Sequence, residues 1–337
     1  MMYDLLQHQT EEFRRGTHLR TDAAEQFLDE LIEASDEDLL RDAFVAWNEK
    51  GIHENEIYEL ARIMRRRCVR VETSREHFVD IVGTGGSKQK TFNVSTAAAF
   101  VVAGAGVAVA KHGNKAATSN SGSADVLSAL GIEPAVDAAT ASRCLDEVGI
   151  CFMFAPNFHR LSPTLAKVRR GLGFPTIFNC IGPLSNPAKA PHSLIGVWDA
   201  GLVPKMANAL SVLGADRSWI VHGREGLDEI SSRGSTLVNE IVGDEIRAFE
   251  IERNNANGHK VRRVDSAVES ARLIRAVLDG SLAGSAEETI VIENAAAAIY
   301  IAGGSDDIDS ARVIALESVR NGNAGLKLED LARATKR

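Results

Sequence analysis

Residues 80–131 read DIVGTGGSKQKTFNVSTAAAFVVAGAGVAVAKHGNKAATSNSGSADVLSALG. This stretch contains two turns, G-T-G-G at residues 83–86 and K-H-G-N at residues 111–114, each beside a short apolar run. Apolar runs that alternate with helical segments are typical of α/β folds, in which ligands bind at the carboxyl ends of parallel strands. We therefore expect both turns to follow strands directly and to lie at one edge of a sheet.

The composition of this stretch is suited to binding phosphate. Glycine lets backbone N–H groups approach a ligand without a Cβ in the way, and Lys111 and Lys115 supply positive charge. Short hydroxyl donors are present at Ser95, Thr96, Thr118, Ser119, Ser121 and Ser123. Because loops of N–H groups before helices bind anions, two such loops would surround one highly anionic ligand. A single glycine turn, by contrast, can be a tight turn with no ligand.

Neither common nucleotide motif is present. No G-x-x-x-x-G-K-[ST] sequence occurs, which disfavours a P-loop NTPase. Residues 83–86 lack the third spaced glycine of the dinucleotide-binding fingerprint. The expected phosphates therefore belong to another kind of ligand.

The overall composition predicts a folded cytoplasmic protein. With 337 residues, 45% of them hydrophobic, the chain can form two domains or one large α/β unit. A net charge of −8 disfavours non-specific binding to nucleic acid or anionic membranes. The four cysteines form no C-x-x-C pair, which favours buried thiols over a zinc site or a disulfide framework. The polar start and the lack of any run of ~20 apolar residues argue against secretion and membrane insertion.

Residue patterns predict a small N-terminal helical domain over residues 1–75, followed by a larger α/β domain. Helical spacing predicts a helix around residues 23–32, a second from Ser35 to Gly51, and a third over residues 53–68. Strands are predicted at residues 79–82, 107–110, 151–154, 218–221, 236–242 and 246–251. Further helices are predicted at residues 96–105, 123–130, 137–148, 163–172 and 203–213, and beyond residue 266. This alternation predicts a mostly parallel central sheet covered by helices.

The ordered motifs resemble the anthranilate phosphoribosyltransferase family of tryptophan biosynthesis. They are G-T-G-G, N-x-S-T, K-H-G-N with S-G-S-A-D, V-R-R-x-L-G, F-N-x-x-G-P-L-x-N-P and G-L-D-E, between residue 80 and about residue 230. The set is specific although no single motif is. The resemblance implies the nucleoside phosphorylase/phosphoribosyltransferase fold, with residues 160–190 joining the helical domain and residues 76–159 and 191–337 forming the α/β domain. It also implies a homodimer formed through the helical domain.

The implied reaction is Mg²⁺-dependent transfer of the phosphoribosyl group from 5-phosphoribosyl 1-pyrophosphate (PRPP) to anthranilate. The matching donor-binding positions are Gly83, Gly86, Ser87, Thr91, Asn93, Val94, Ser95, Thr96, Lys111, His112, Gly113, Asn114, Lys115, Ala116, Ala117, Thr118, Ser119 and Ser123. For His112, a role as a buried core histidine is an equally good interpretation.

The metal and acceptor sites also come from the resemblance. Breaking the C1′–O bond leaves a pyrophosphate whose charge Mg²⁺ usually stabilises, and adjacent carboxylates suit that ion. Asp228, Glu229 and Ser95 match the family's metal positions, although an isolated Asp-Glu pair is usually a solvated turn. The matching acceptor-binding positions are Arg169, whose guanidinium suits a carboxylate, with Gly83, Asn114 and His159. An aniline nitrogen is neutral at pH 7, so no general base is assigned.

Two departures from the family pattern are present. Ser87 replaces the usual Asp after G-T-G-G, and Lys88 and Lys90 follow it, which argues against a second Mg²⁺ site. Residues 159–162 read H-R-L-S instead of H-P-A-M. Because this segment borders the acceptor path, the change either alters the acceptor or repacks the site around the same one.

Three alternative functions remain open from the sequence. A related phosphoribosyltransferase could use a different amine acceptor, and a pyrimidine nucleoside phosphorylase shares the fold class and an anionic sugar site. A non-catalytic relative that binds nucleic acid would use the basic residues Arg62, Arg65, Arg66, Arg67 and Arg70.

Overall fold

The computed structural model describes residues 3–87, 89, 91–115, 122–253 and 260–336. The strands are β1 (Phe78–Gly83), β2 (Ala108–Gly113), β3 (Ile150–Phe154), β4 (His192–Gly196), β5 (Arg217–Gly223), β6 (Thr236–Val242) and β7 (Glu245–Ile251). The helices are α1 (Asp4–Arg14), α2 (Ala24–Glu33), α3 (Glu37–Lys50), α4 (Glu54–Arg67), α5 (Val94–Gly104), α6 (Ser123–Ala129), α7 (Ala138–Arg143), α8 (Ala155–Phe158), α9 (Pro163–Gly171), α10 (Ile177–Ile181), α11 (Leu202–Val212), α12 (Ala267–Leu278), α13 (Ala286–Ile301), α14 (Ile308–Arg320) and α15 (Asn323–Ala334).

The strands form one seven-stranded sheet in the order β3-β2-β1-β4-β5-β6-β7. Strands β1 to β5 pair in parallel, whereas β6 and β7 are antiparallel. The predicted fold class, an α/β protein with a mostly parallel sheet and an N-terminal helical part, is confirmed. The chain order reverses between β1 and β4, and parallel sheets bind ligands at the carboxyl ends of strands at such a switch point.

Strand β4, which lies in the centre of the sheet, was not predicted. It pairs with β1 from Val79–His192 to Gly83–Gly196. Its sequence, H-S-L-I-G, contains only two strongly apolar residues and follows a proline-rich segment, so no local pattern marks it as a buried strand. All five residues are nevertheless buried.

Strand β2 begins and ends later than the sequence predicts. It covers Ala108–Gly113, so Lys111 and His112 lie within the strand and do not follow it. The prediction that K-H-G-N comes directly after a strand is therefore wrong. A buried lysine is tolerated here because its ammonium group donates a hydrogen bond to the Ile81 carbonyl on the neighbouring strand β1.

The predicted N-terminal helices are present, with one shifted cap and one additional helix. Asp36, not Ser35, caps α3, and its carboxylate accepts hydrogen bonds from the N–H groups of Asp38 and Leu39. Gly51 ends this helix with a φ of 85°. Helix α1 was not among the predicted helices, but it buries Leu6 and Phe13 against the others.

Two apolar cores lie on opposite faces of the sheet, since neighbouring residues of one strand, such as Leu194 and Ile195 of β4, belong to different cores. One contains β1–β3, α5 and α13, and the other joins α1–α4 with α9, α10, α11 and residues of β4 and β5. In the second core, Phe13 stacks on Trp47 with ring centroids 4.7 Å apart. Within the described ranges, no helix is both long enough and apolar enough to span a bilayer.

Candidate active site

A cavity of about 580 Å³ opens at the carboxyl ends of β1 and β2 and extends to α9 and α10. The predicted site residues that line it are Gly83, Gly86, Ser87, Thr91, Asn93, Val94, Ser95, Lys111, His112, Gly113, Asn114, Lys115, Ser123, His159, Arg169, Asp228 and Glu229. Residues from both glycine-containing turns and the acidic pair therefore share one cavity, although they lie far apart along the chain.

A few predicted residues lie elsewhere. Thr96 does not line this cavity, because its side chain is buried behind the amino end of α5, where Oγ1 finds no hydrogen-bond partner among the described residues. Ala116, Ala117, Thr118 and Ser119 were predicted donor-binding residues, and they lie outside the described residues, as do Lys88 and Lys90.

The acidic pair lies directly over the switch point of the sheet. A Cβ placed on Gly196 would come within 1.6 Å of the Asp228 carbonyl oxygen, and one on Gly83 would come within 2.8 Å of Asp228 Oδ2. The clash at Gly196 is with backbone, so only glycine fits there, whereas a side chain at Gly83 would require the Asp228 carboxylate to move. The ends of β1 and β4 thus form a seat for Asp228. This seat fixes the Asp228 carboxylate beside the G-T-G-G turn.

The carboxylate of Glu229 is incompletely satisfied. Its Oε2 is shielded from solvent and accepts no hydrogen bond from the described residues. Burial, followed by the neighbouring Asp228 charge, raises the pKa of Glu229 well above its ordinary value. Two adjacent carboxylates in this state are suited to a divalent cation.

The protein supplies few ligands for such a cation. Within the part of the chain that is described, no cluster of three or more His, Cys, Asp or Glu side chains could hold a metal. Mg²⁺ is commonly held by one or two carboxylates together with substrate phosphates and water. Asp228 and Glu229, with the Ser95 hydroxyl in the same cavity, fit this pattern.

Lys111 is a buried cation near the floor of the cavity. Its Nζ lies 3.3 Å from Ser95 Oγ and also donates a hydrogen bond to the Ile81 carbonyl. Burial lowers the pKa of Lys111 to about 8, and the nearby Asp80 carboxylate offsets part of this effect. Burial conversely raises the pKa of Asp80 to about 6, against the opposing effect of Lys111.

Two histidines pack together in the wall of the cavity. The rings of His112 and His159 are 5.0 Å apart, and His112 Nδ1 lies 3.2 Å from the Gly182 carbonyl oxygen. Burial lowers the pKa of His112 to about 3 and the pKa of His159 to about 4. Both rings are therefore neutral at pH 7, and His112 both packs as a core histidine and lines the cavity.

Asn179 holds the G-T-G-G turn in place, and it was not a predicted site residue. Its Nδ2 donates to the Thr84 carbonyl at 2.9 Å, while its Oδ1 accepts from the backbone N–H of Thr176 at 2.9 Å. It lies in the F-N-x-x-G-P-L motif, so the signal was present in the sequence, but the contact joins residues 95 positions apart.

Ser270 of α12 anchors Asn93, the residue that precedes α5. Ser270 of α12 donates a hydrogen bond to Asn93 Oδ1 at 2.9 Å and accepts one from the Asn93 N–H at 3.0 Å. This exchange fixes the start of an 11-residue helix whose first residues, Val94 and Ser95, line the cavity. Free N–H groups and the helix dipole make such an end attractive to anions.

Arg169 of α9 lines the cavity at the end formed by α9 and α10. Its guanidinium carbon lies 4.7 Å from the centre of the Phe178 ring, and its Nε has no hydrogen-bond partner among the described residues. Burial lowers the pKa of Arg169 to about 10, so the group remains charged at pH 7. A stacked guanidinium with an unfilled donor is suited to a planar carboxylate.

The basic residues at the end of α4 pair within the protein. Arg66 binds Glu25, and Arg67 binds Glu25 and Asp29. Arg65 is largely buried and donates to the carbonyls of Leu184 and Leu213 at 2.5 and 2.9 Å. Arg65 therefore connects the helical part to the rest of the chain. These contacts give the basic residues of α4 a structural role.

Comparison with known proteins identifies close relatives. The family described as "Glycosyl transferase family, a/b domain" matches residues 75–325. The chain is 41% identical to an anthranilate phosphoribosyltransferase of Anaeromyxobacter dehalogenans over 98% of this chain and 99% of that protein. It is also 41% identical to the enzyme of the same name from Moorella thermoacetica, over 96% and 97% of the two chains.

Solved structures resemble the fold over nearly its whole length. The anthranilate phosphoribosyltransferase of Thermus thermophilus superimposes with a TM-score of 0.85 at 34% identity, covering 97% of this chain and 99% of that one. The Saccharomyces cerevisiae enzyme in complex with PRPP and Mg superimposes with a TM-score of 0.87 at 27% identity, covering 99% and 98%.

Proposed function

The chain belongs to the anthranilate phosphoribosyltransferase family, and from this premise we propose how its own residues perform the family's reaction. The protein is a Mg²⁺-dependent transferase of tryptophan biosynthesis that moves the phosphoribosyl group of PRPP to anthranilate. The products are N-(5-phosphoribosyl)anthranilate and pyrophosphate. The observation that supports our assignment of residues is the seat formed by Gly83 and Gly196, which holds Asp228 beside the G-T-G-G turn.

The donor occupies the side of the cavity formed by β1, β2 and the start of α5. Backbone N–H groups of Gly85, Gly86, Ser87 and Ser95 bind the pyrophosphate, and Lys111 supplies a buried positive charge beside them. The N–H groups of Thr84, Asn93 and Val94 already donate within the protein. Asn114, Lys115 and Ser123 surround the remaining anionic group of the donor. The donor thus gains charge-assisted hydrogen bonds that a neutral sugar would not make.

Asp228, Glu229 and Ser95 hold the Mg²⁺ ion. When bound, this ion neutralises charge that develops on the leaving pyrophosphate. The pKa of Glu229, which burial and the Asp228 charge raise, would fall when a cation binds, because a positive charge favours the ionised carboxylate.

The acceptor lies between the donor and the helical part of the protein. Arg169 binds its carboxylate, while His159, Asn114 and Gly83 form the rest of the wall and align the amine behind C1′. The neutral amine needs no base, and the lowered pKa values of His112 and His159 are consistent with a role in shape and alignment. Leu161 and Ser162 also line the cavity.

Three further assignments complete the proposal. Residues 1–75 and 160–190 act as one helical domain, with residues 76–159 and 191–337 as the donor-binding domain. The helical domain forms a homodimer, and the enzyme works in the cytoplasm. Sedimentation of the purified protein tests the dimer, since a single species of monomer mass at micromolar concentration would exclude it.

The activity is tested by mixing protein, Mg²⁺, PRPP and anthranilate and following the fluorescence of anthranilate. We expect the fluorescence to disappear, and we expect chelation of Mg²⁺ to stop the loss. Binding of PRPP without consumption of anthranilate would instead indicate a different amine acceptor. Phosphorolysis of thymidine or uridine would indicate a nucleoside phosphorylase, and salt-dependent retention of DNA would support a nucleic-acid-binding relative.

A further inference from the structure

We infer that Ser87 is a positioning residue, which ties the G-T-G-G turn to the turn that carries the acidic pair. Its hydroxyl donates a hydrogen bond to the Gly226 carbonyl at 2.7 Å, across 139 positions of sequence. The inference rests on the proposed donor and metal site, and it concerns how this chain keeps the two halves of that site in register.

The hydroxyl of Ser87 has one proton and two nearby acceptors. The Gln89 carbonyl lies at 3.0 Å and the Gly226 carbonyl at 2.7 Å. Because one hydroxyl donates one hydrogen bond, the shorter contact is the better partner. Ser87 is only 8% exposed, so water competes little for this bond.

The bond reaches a turn whose geometry is already fixed. Gly226 has a φ of 89°, its N–H donates to the Gly223 carbonyl at 2.8 Å, and the Gly223 N–H donates to the Leu227 carbonyl at 3.0 Å. The Gly226 carbonyl therefore has a defined direction, and Ser87 holds it at a point two residues before Asp228.

The other side of the acidic pair is held as well. Asn294 of α13 accepts a hydrogen bond from the Ile230 N–H and donates one to the Ile230 carbonyl, both at 3.0 Å. Three contacts thus hold the acidic pair. Asp228 packs against Gly83 and Gly196, Asn294 binds the following residue Ile230, and Ser87 binds Gly226, which precedes the pair. The Ser87 hydrogen bond is made by a side chain of the G-T-G-G-S segment itself. It therefore connects the proposed donor-binding turn directly to the turn that carries Asp228 and Glu229.

A carboxylate at position 87 could not make this contact. Ionised Asp accepts hydrogen bonds but donates none, so it would face the Gly226 carbonyl as a second acceptor. A serine at position 87 therefore acts differently from an aspartate at the same position. The hydroxyl positions the turn that carries Asp228 and Glu229, whereas a carboxylate would add a negative charge beside that turn.

Four variants test this inference: Ser87→Ala, Ser87→Thr, Ser87→Asp and, as a matched control, Ser318→Ala. Ser318 donates a comparable buried hydrogen bond to the Val101 carbonyl at 2.8 Å, away from the cavity lining. The measurements are PRPP affinity by calorimetry with saturating Mg²⁺, the KM for PRPP, kcat, and the unfolding midpoint of the ligand-free protein.

We expect Ser87→Ala to weaken PRPP binding about three- to tenfold, the usual loss for one hydrogen bond, with kcat changed less than about twofold. Ser87→Thr keeps the hydroxyl and should restore binding, whereas Ser87→Asp should not. Ser318→Ala should lower the unfolding midpoint without changing PRPP affinity.

Two outcomes would overturn the inference while the proposed function stands. One is unchanged PRPP affinity in Ser87→Ala. The other is tighter PRPP binding in Ser87→Asp than in the wild type, because this would show that position 87 requires a negative charge and not a hydrogen-bond donor. Should Ser87→Ala fold poorly, the contrast between the Thr and Asp variants still decides the point. If the wild-type protein itself binds no PRPP in the presence of Mg²⁺, the proposed function fails first.

Discussion

Glu56 in the helical part and Glu229 in the cavity are both shielded glutamates, but their surroundings differ. Glu56 Oε1 accepts from Lys50 Nζ at 2.5 Å and from the Leu19 N–H at 2.9 Å. Its Oε2 accepts from Trp47 Nε1 and from the His53 N–H, both at 2.9 Å. Glu229, by contrast, lies beside another carboxylate, and its Oε2 has no partner among the described residues.

The difference separates structural charges from functional ones. A buried polar atom without a partner costs free energy, so a folded protein tolerates one mainly where something else completes it. The Glu56 cluster is complete and needs no ligand. The Glu229 site is incomplete, and so is Arg169, whose Nε has no partner in the described part of the chain. Glu229 and Arg169 thus place one unsatisfied group on each side of the cavity, although Gln9 Nε2 and His192 Nε2 also lack partners among the described residues, away from it.

The largest effect is expected from Glu56→Gln. The variant leaves the Lys50 ammonium, whose side chain is 1% exposed, without its counter-charge, which typically costs about 3–5 kcal/mol of the free energy of unfolding. Urea unfolding measures the loss, and Glu11→Gln at the surface is the control, with a change below about 1 kcal/mol. Equal stability of the Glu56 variant and the wild type would contradict the claim that Glu56 is a structural charge.

The next effect is expected from Glu229→Gln, and it should appear in the reaction. We expect kcat/KM for PRPP to fall about a hundredfold, as for loss of a group that stabilises a leaving charge. Stability should stay the same or rise, because a like-charge contact with Asp228 is removed. Urea unfolding of the same preparation tests this, and a loss of stability as large as that of Glu56→Gln would contradict the distinction.

A smaller effect is expected from Arg169→Lys on the acceptor side. Lysine keeps the charge but loses the planar fork and the stacking on Phe178, so the KM for anthranilate should rise about tenfold. The affinity for PRPP should stay within about twofold. Arg66→Lys is the matched control, because Arg66 is exposed and pairs with Glu25 away from the cavity. An equal rise in both variants would show that Arg169 has no special role.

The smallest effect is expected from pH. The pKa of Lys111 is about 8 in the free protein, and a bound anion raises it, so PRPP affinity is full below pH 8 and falls as the pH rises above 8. A change of a few-fold between about pH 7.5 and 9 should appear in the KM for PRPP. Lys111→Arg should flatten this limb, since arginine stays charged. The folded-state pKa lies below the unfolded one, so the Lys111 contribution to stability conversely increases over the same pH range.

Much of the local structure followed from the sequence. Helical spacing and caps predicted α2, α3 and α4 to within a few residues, because helix signals are local. The hairpin of β6 and β7 around residues 243–244 was predicted for the same reason. Strand β4 and the later end of β2 were not predicted, because a buried strand is decided by its neighbours and not by its own residues.

The sequence by itself determined that two glycine-containing turns, a lysine and an acidic pair are present in an order that implies a phosphorylated ligand. Only the tertiary structure decided that Asp228 rests on Gly83 and Gly196 and that Asn179 and Ser87 hold the surrounding turns. It also decided that Glu229 Oε2 and Arg169 Nε have no hydrogen-bond partner among the described residues. The physical reason is distance along the chain. Composition limits what a segment can bind, whereas contacts between residues about a hundred positions apart depend on strand pairing and packing that no local pattern encodes.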